Sequence, residues 1–272
     1  MSKLSIITIN FNNEKGLLKT IQSVENQTWQ DFEFIIIDGG STDGSKQRIN
    51  ECKRVNYSIS EKDKGVYNAM NKGIKAAHGE YIIFMNSGDI FYSNDVLEEV
   101  NDTLNLDYQV VFGNTVYYND ANYRREEIPP DELSFSYFLN FGINHQSSFI
   151  KRTLFFENFL YNEDYKICSD WEFFLYTICN KNASYKHIDT FICYYDFSGI
   201  SADPKNLQLY HEEKKMTIKK YFPLFYNDYL IIDELNSKRM QQILSIKKNK
   251  FAWRIMKWIV DLFLIFTGNK KK

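Results

Sequence analysis

The chain has 272 residues, 25% charged and 44% hydrophobic, with only 12 Gly and 4 Pro, which suits one large domain or a domain with an appendage and excludes a disordered, collagen-like or linker-rich chain. Its four cysteines form no C-x-x-C pair, so neither a zinc site nor a disulfide scaffold is expected, and reduced thiols of a cytoplasmic protein are. The net charge of −2 is uneven: residues 238–272 hold ten Lys or Arg against one acid, a balance that argues against nucleic acid as a partner of the acidic body and suits a tail meeting an anionic surface.

Met1 to Leu4 runs straight into a strand pattern, so no signal peptide is expected. Residues 4–9 form a short Ile-rich run typical of a buried strand. Residues 13–24 place Leu17, Leu18, Ile21 and Val24 at helical spacing. A second buried strand spans 32–37 and ends at Asp38, and Ser41 to Gly44 offers N-cap chemistry for a helix to about Glu51. A strand at 57–60 and a helix at 66–77 follow, with Gly79 expected as a C-cap glycine, and a strand at 81–85 ends in Asn86-Ser87-Gly88-Asp89. This alternation implies βαβ units whose strand ends share one crevice, where open α/β sheets bind ligands.

The second half is less regular. A helix is read at 93–104, strands at 109–118 and 123–127 around a turn at Asn119-Asp120, a helix at 169–179 and a strand within 185–195. Beyond Asn206 the pattern is helical and mostly polar up to Phe251.

Four polar clusters could carry chemistry. Thr8 to Asn12 leaves the first strand with no glycine between Met1 and Glu14, which excludes the glycine-rich dinucleotide fingerprint and leaves an ordinary Asn turn as the alternative. In Asp38 to Gly44, Asp38 could accept from a base or ribose, whereas Asp43, near a helix start, reads as structural. Asp89 stands where a carboxylate can hold a hard divalent cation that neutralises a diphosphate. Asp170, in a first helical turn, is either dipole-favoured decoration or a general base if the turn faces the crevice. Glu172 falls elsewhere on that helix.

Together the segments 4–10, 37–44, 60–74, 79–89 and 169–173 stand in one order, and the chain resembles family 2 glycosyltransferases of GT-A fold over about residues 3–200. Residues 60–89 with His145-Gln146 resemble the colanic-acid, capsule and O-antigen branch. The resemblance implies an α/β fold with a mainly parallel central sheet flanked by helices and a helical C-terminal extension. It implies an inverting hexosyl- or N-acetylhexosaminyl-transferase that moves a sugar from a nucleotide donor, commonly UDP-linked, to a hydroxyl of a glycan or lipid-linked glycan. On this reading Thr8, Asn10, Asp38, Ser41, Asp63 and Asn71 attend the nucleotide. Asn86, Ser87, His145, Gln146 and Trp171 attend the sugar or acceptor, though His145 could equally be satisfied within its loop and Trp171 could be core. Asp89 attends Mg²⁺ or Mn²⁺, and Asp170 is the catalytic base. Acids that many relatives carry are replaced here by Asn86 and Gly88, so metal binding mainly with the nucleotide sugar is expected. A nucleotide-sugar-binding subunit without turnover is the alternative.

The expected domains are a catalytic domain at 1–205 (nucleotide half 1–105, acceptor half 106–205), a helical extension at 206–250 and a basic amphipathic helix at 251–272. Lys247, Lys250, Arg254, Lys257 and Asp261 recur at spacings that form one stripe on a helix otherwise rich in Phe, Trp and Ile. That pattern suits a helix lying on the inner face of the cell membrane, making the protein peripheral, with docking onto protein as the alternative.

Overall fold

The computed structural model describes residues 2–119, 123–199 and 203–267. Asp120 of the expected turn and the terminal Lys270-Lys271-Lys272 lie outside the described residues. The chain divides into two compact units, Met1–Tyr221 and Phe222–Lys272.

The first unit opens with β1 (Leu4–Asn10), α1 (Glu14–Glu25), β2 (Phe32–Asp38), α2 (Ser45–Glu51), β3 (Tyr57–Ser60), α3 (Val66–Ala76) and β4 (Tyr81–Phe84). It continues with β5 (Ile90–Phe91), α4 (Val96–Leu104), β6 (Val110–Tyr118), β7 (Arg124–Glu127), α5 (Phe135–Asn140), β8 (Ser148–Lys151), α6 (Arg152–Glu157), α7 (Ser169–Cys179), β9 (Tyr185–Asp196) and α8 (Leu207–Tyr221). The strands form one sheet in the order β3-β2-β1-β4-β8-β6-β9-β5, with β7 on β6. The first four pair in parallel. Beyond β4 the sheet is mixed: β8 runs antiparallel to both β4 and β6, while β6 and β9 are parallel. The expectation of a mainly parallel sheet therefore describes the first half of the fold.

The apolar runs of β1, β2 and β4 are buried on both faces, the signature of parallel strands sandwiched by helices. α1 and α3 cover them with one apolar face each, through Leu17, Ile21 and Val24 and through Met70 and Ile74. The register pairs Asn10 with Asp38, so the polar segments after β1 and β2 emerge side by side. β4, on the other side of β1, delivers Asn86 to Asp89 to the same edge.

Gly79 serves a different purpose from the one expected. The cap of α3 is Ala77, in extended conformation. A Cβ at Gly79 would stand 2.6 Å from both the Leu4 carbonyl carbon and the Ser5 nitrogen. The glycine is there because β1 passes directly beneath it, and its amide donates to Ser5 Oγ and Glu33 Oε1.

α8 belongs to the first unit, past the boundary expected at residue 205, because Glu213, Lys214, Thr217 and Ile218 bury one of its faces. The second unit holds α9 (Tyr226–Asn236), α10 (Lys238–Lys247) and α11 (Lys250–Phe266). Asn249 caps α11 by accepting from the Phe251 and Ala252 amides. This break leaves Lys247 on α10, so the charged stripe of α11 is Lys250, Arg254, Lys257 and Asp261. No helix among the described residues is long and apolar enough to cross a membrane.

Candidate active site

A cavity of about 1240 Å³ opens at the edge where β1, β2 and β4 end. It gathers Asn10, Asp63, Asn86, Ser87, Asp89, His145, Gln146, Asp170 and Trp171 from the expected site residues. Thr8, Asp38, Ser41 and Asn71 are not among its lining residues; all four are at most 2% exposed.

These buried groups hold the walls. The Asp38 carboxylate accepts from Asn10 Nδ2 (2.8 Å), the Ser41 amide and hydroxyl (2.9 and 2.5 Å) and Ser60 Oγ (2.5 Å). Burial alone would raise its pKa, but these donors outweigh burial and hold it below the usual carboxylate value. Thr8 donates to the Met85 carbonyl (2.7 Å), tying β1 to the end of β4. Asn71 clasps Tyr161 through its carbonyl and amide and donates to Glu163. Asp43 accepts from the Glu14 and Ser45 amides at two helix starts, the structural role expected of it. Asp63 reaches the cavity beside Gly39 and pairs with Lys72 at 2.5 Å.

The turn after β4 presents oxygen chemistry. Asp89 is 2% exposed and accepts from the amides of Asp196 (2.9 Å) and Asn86 (3.2 Å). Burial, with the Asp196 carboxylate nearby, pushes the Asp89 pKa up to about 7 despite these bonds. Asn86 Oδ1 and Ser87 Oγ are buried without hydrogen-bond partners. Gly88 has φ +113°, a conformation that side chains rarely adopt, and a Cβ there would meet Asp196 Oδ2 at 2.6 Å, so any larger residue at this position would be strained and would displace the Asp196 side chain. A buried carboxylate that resists ionisation, a second carboxylate beside it and two unpartnered oxygens fit a hard divalent cation. Among the described residues no group of three or more His, Cys, Asp or Glu could hold such an ion.

Across the cavity, α7 places Asp170 in its first turn. Its carboxylate accepts from Tyr67 OH (2.9 Å) on α3 and from His145 Nδ1 (2.7 Å) on the turn before β8. His145 Nε2 lies 3.2 Å from Asn86 Nδ2. With that amide as donor, Nε2 accepts and Nδ1 carries the proton toward Asp170. Burial disfavours the Asp170 carboxylate, yet the bonds from His145 and Tyr67 prevail and keep its pKa below the usual value. Asp170 is therefore ionised at neutral pH, the state a general base requires. Glu172 is fully buried and faces Lys220 at 3.5 Å, away from the cavity lining. Trp171 is 7% exposed and donates to the Phe138 and Phe141 carbonyls, so it is a packed wall residue that also touches the cavity.

Three cavity residues escape a reading of the sequence. Tyr67 sits in an apolar helical pattern and is 5% exposed. Asp196 ends β9 one residue past the strand read from the sequence. Phe11 is the one with a visible signal, an aromatic between two asparagines at a strand end, and it stands 66% exposed on the cavity wall.

Comparison with known proteins gives the family of the chain. The family model described as "Glycosyl transferase family 2" matches residues 5–166. A PGL/p-HBAD biosynthesis glycosyltransferase of Mycobacterium tuberculosis (strain ATCC 25177 / H37Ra) is 28% identical over 208 residues, 72% of this chain and 78% of its own. An uncharacterized glycosyltransferase of Mycobacterium tuberculosis (strain CDC 1551 / Oshkosh) is 30% identical over 223 residues, 78% and 82% of the two chains. These names do not carry the narrower capsule-type branch. Among solved structures, S. aureus TarS 1–349 in complex with UDP-GlcNAc superposes with a TM-score of 0.62 at 17% identity, covering 81% of this chain and 67% of that one. The mannosyltransferase PcManGT from Pyrobaculum calidifontis, in complex with GDP-Man and Mn²⁺, gives 0.63 at 12% identity, covering 96% and 80%. Those two likenesses establish the GT-A-type fold, and the family model, which spans more than half the sequence and contains the ends of β1, β2 and β4 and the turn at His145, assigns the chain to glycosyl transferase family 2.

Proposed function

We propose that this chain transfers a hexosyl or N-acetylhexosaminyl group from a nucleotide-diphosphate donor, UDP-linked, to a hydroxyl of a lipid-linked glycan, with inversion. The observation that carries this reading is the placement of an ionised, hydrogen-bonded Asp170 across one cavity from the oxygen-rich turn at Asp89. The names of the relatives support the transferase class, and the bound UDP-GlcNAc of TarS supports the donor class.

On this reading the nucleotide lies along Asn10, Gly39, Gly40 and Asp63, with its base against the ring of Phe11. Thr8, Asp38, Ser41 and Asn71 act from behind, keeping those loops in place. Asn86, Ser87, Gln146 and His145 border the sugar. Asp89, with Asp196 beside it, would hold a Mg²⁺ or Mn²⁺ ion, which when bound would supply charge stabilisation to the diphosphate leaving group. Asp170 takes the proton of the acceptor hydroxyl as that oxygen bonds to the anomeric carbon. The bond from that carbon to the phosphate oxygen breaks, and its electron pair leaves with the nucleoside diphosphate. One displacement without a covalent sugar-enzyme intermediate inverts the centre. The exposed apolar surface and basic stripe of α11 suit attachment to an anionic membrane surface, where a lipid-linked acceptor resides.

The test is binding and hydrolysis of a panel of nucleotide sugars, with Mg²⁺ or Mn²⁺ and with chelator, by wild type and Asp170→Asn. Cation-dependent hydrolysis of one donor, lost in the variant while nucleotide binding persists, is expected. Binding without hydrolysis, and without transfer to extracted lipid-linked acceptors, would instead assign a binding subunit. Failure to bind any nucleotide sugar would overturn the proposal.

A further inference from the structure

We infer that Glu213, on α8, is a positioning residue for Asp170, holding the backbone that leads into α7 at the place where the base meets the acceptor. The inference rests on the reading of Asp170 as the base.

Glu213 is 1% exposed. A carboxylate so buried is costly unless its charge is met by hydrogen bonds. Here it is met by three consecutive amides: Oε1 accepts from Lys166 (2.7 Å), and Oε2 accepts from Ile167 (3.0 Å) and Cys168 (2.9 Å). Successive amides turned toward one anion form a rigid concavity. Cys168 is the N-cap of α7, and its own amide, one of the first donors of the helix that have no intrahelical acceptor, donates to Glu213. Asp170 follows two residues later. Its position is then fixed by where α8 holds residues 166–168.

α8 grips the far side of Asp170 as well. Lys214 is 2% exposed, with Nζ 4.5 Å from the centroid of the Trp171 ring and 4.7 Å from that of Tyr210. Tyr165 OH and Thr217 Oγ1 add a bond at 3.0 Å. Lys166, Ile167, Cys168, Asp170 and Trp171 all line the cavity, so the gripped segment is the cavity wall itself. The donor-side loops are held by bonds that Asp38 and Thr8 make to Ser41 and the Met85 carbonyl, away from residues 166–168. Loss of the Glu213 grip should therefore affect turnover and spare donor binding.

The experiment compares Glu213→Gln, Glu213→Asp and Ile218→Ala in the full chain. Ile218 is buried on α8 without a bond to residues 166–168, and serves as a control for loss of stability. At a temperature well below all melting points, Glu213→Gln is expected to lower kcat about 10- to 100-fold, the scale of a small misplacement of a catalytic group. Donor KM and nucleotide Kd should be unchanged. Glu213→Asp, which keeps the charge with a shorter reach, should lose less, and it carries the test if the Gln variant does not fold. Any residual turnover of Asp170→Asn should not be lowered further by Glu213→Gln. A Glu213 variant whose kcat matches that of Ile218→Ala, or whose donor KM rises with the loss of kcat, would overturn the inference and leave the base reading intact. Full turnover by Asp170→Asn alone would overturn both.

Discussion

His145 Nδ1 stands 2.7 Å from Asp170 Oδ2, joining the turn before β8 to the first turn of α7 across the cavity. The bond opposes burial at Asp170 and is the largest lowering influence on its pKa. Replacing His145 by Ala removes that donor and leaves burial less opposed, so the Asp170 pKa rises. A base must be deprotonated to work, so a higher pKa moves the acid limb of the kcat/KM profile upward. We expect this shift, with turnover at neutral pH about 10- to 100-fold lower. A pH–rate profile of His145→Ala superimposable on wild type would show that the bond has no part in the reaction.

Asp38 gives a pH signature in stability. Its folded-state pKa is lowered by bonds from Ser41, Ser60 and Asn10 that outweigh burial. Its contribution is thus fully present above the unfolded value of about 3.9 and is lost as pH falls through the lower folded value. Asp38→Asn should be less stable at pH 7 by about 1–3 kcal/mol, because donors aimed at a carboxylate are left poorly met. The gap should persist down to about pH 4 and narrow below it. Urea unfolding of both proteins at several pH values checks this, and a gap that widens on acidification would contradict it.

Phe11 should report on the nucleotide alone. Its ring is 66% exposed on the cavity wall, so Phe11→Ala removes little packing. Stacking of a base on an aromatic ring is worth about 1–3 kcal/mol, which corresponds to roughly 5- to 150-fold in affinity. We expect nucleotide Kd to rise within that range with an unchanged Tm. Unchanged affinity by calorimetry would place the base elsewhere.

Gly79 should report on the fold alone. A methyl group there meets the β1 backbone at 2.6 Å, and a backbone neighbour cannot rotate away as a side chain can. Gly79→Ala should destabilise by about 1–3 kcal/mol or more, the scale of overpacking. Equilibrium unfolding measures this, and a stability equal to wild type would mean that β1 yields without penalty.

Gly79 also shows what a sequence exposes and what it withholds. Strand-helix alternation is legible because periods of 2 and 3.6 follow from local geometry, so β1 through β4 and α7 stand where the apolar pattern puts them. A glycine after a helix reads as a cap; the strand lying beneath it is a long-range fact that no local pattern records. The same limit separates Asp63 and Asp89, which reach the cavity, from Asp38 and Thr8, which hold it from behind. Motif position says which loop a residue is on, and only packing decides which way the side chain faces. Tyr67 and Glu213 are further cases: each touches the segment around Asp170 from a helix distant in sequence. β8 and α6 are short and lack clear periodicity, and the mixed half of the sheet depends on them.

α11 tests the membrane reading. Its 17 residues span about 26 Å at 1.5 Å per residue, short of the roughly 20 apolar residues that a span needs. Phe251, Ile255, Trp258, Phe263 and Phe266 are all exposed, while Lys250, Arg254 and Lys257 recur at helical spacing. A basic residue near an anionic bilayer contributes about 1 kcal/mol, screened by salt. The full chain should therefore cosediment with phosphatidylglycerol vesicles and much less with phosphatidylcholine. Added salt should weaken the binding. Replacing the three cations by Gln should lower the affinity by about 3 kcal/mol on that scale, roughly 150-fold. Trp258→Ala should weaken binding to both vesicle types, because the ring contributes by insertion rather than by charge. Binding that ignores lipid charge would reduce α11 to an apolar anchor, and no binding to either vesicle would mean that its apolar face meets protein instead.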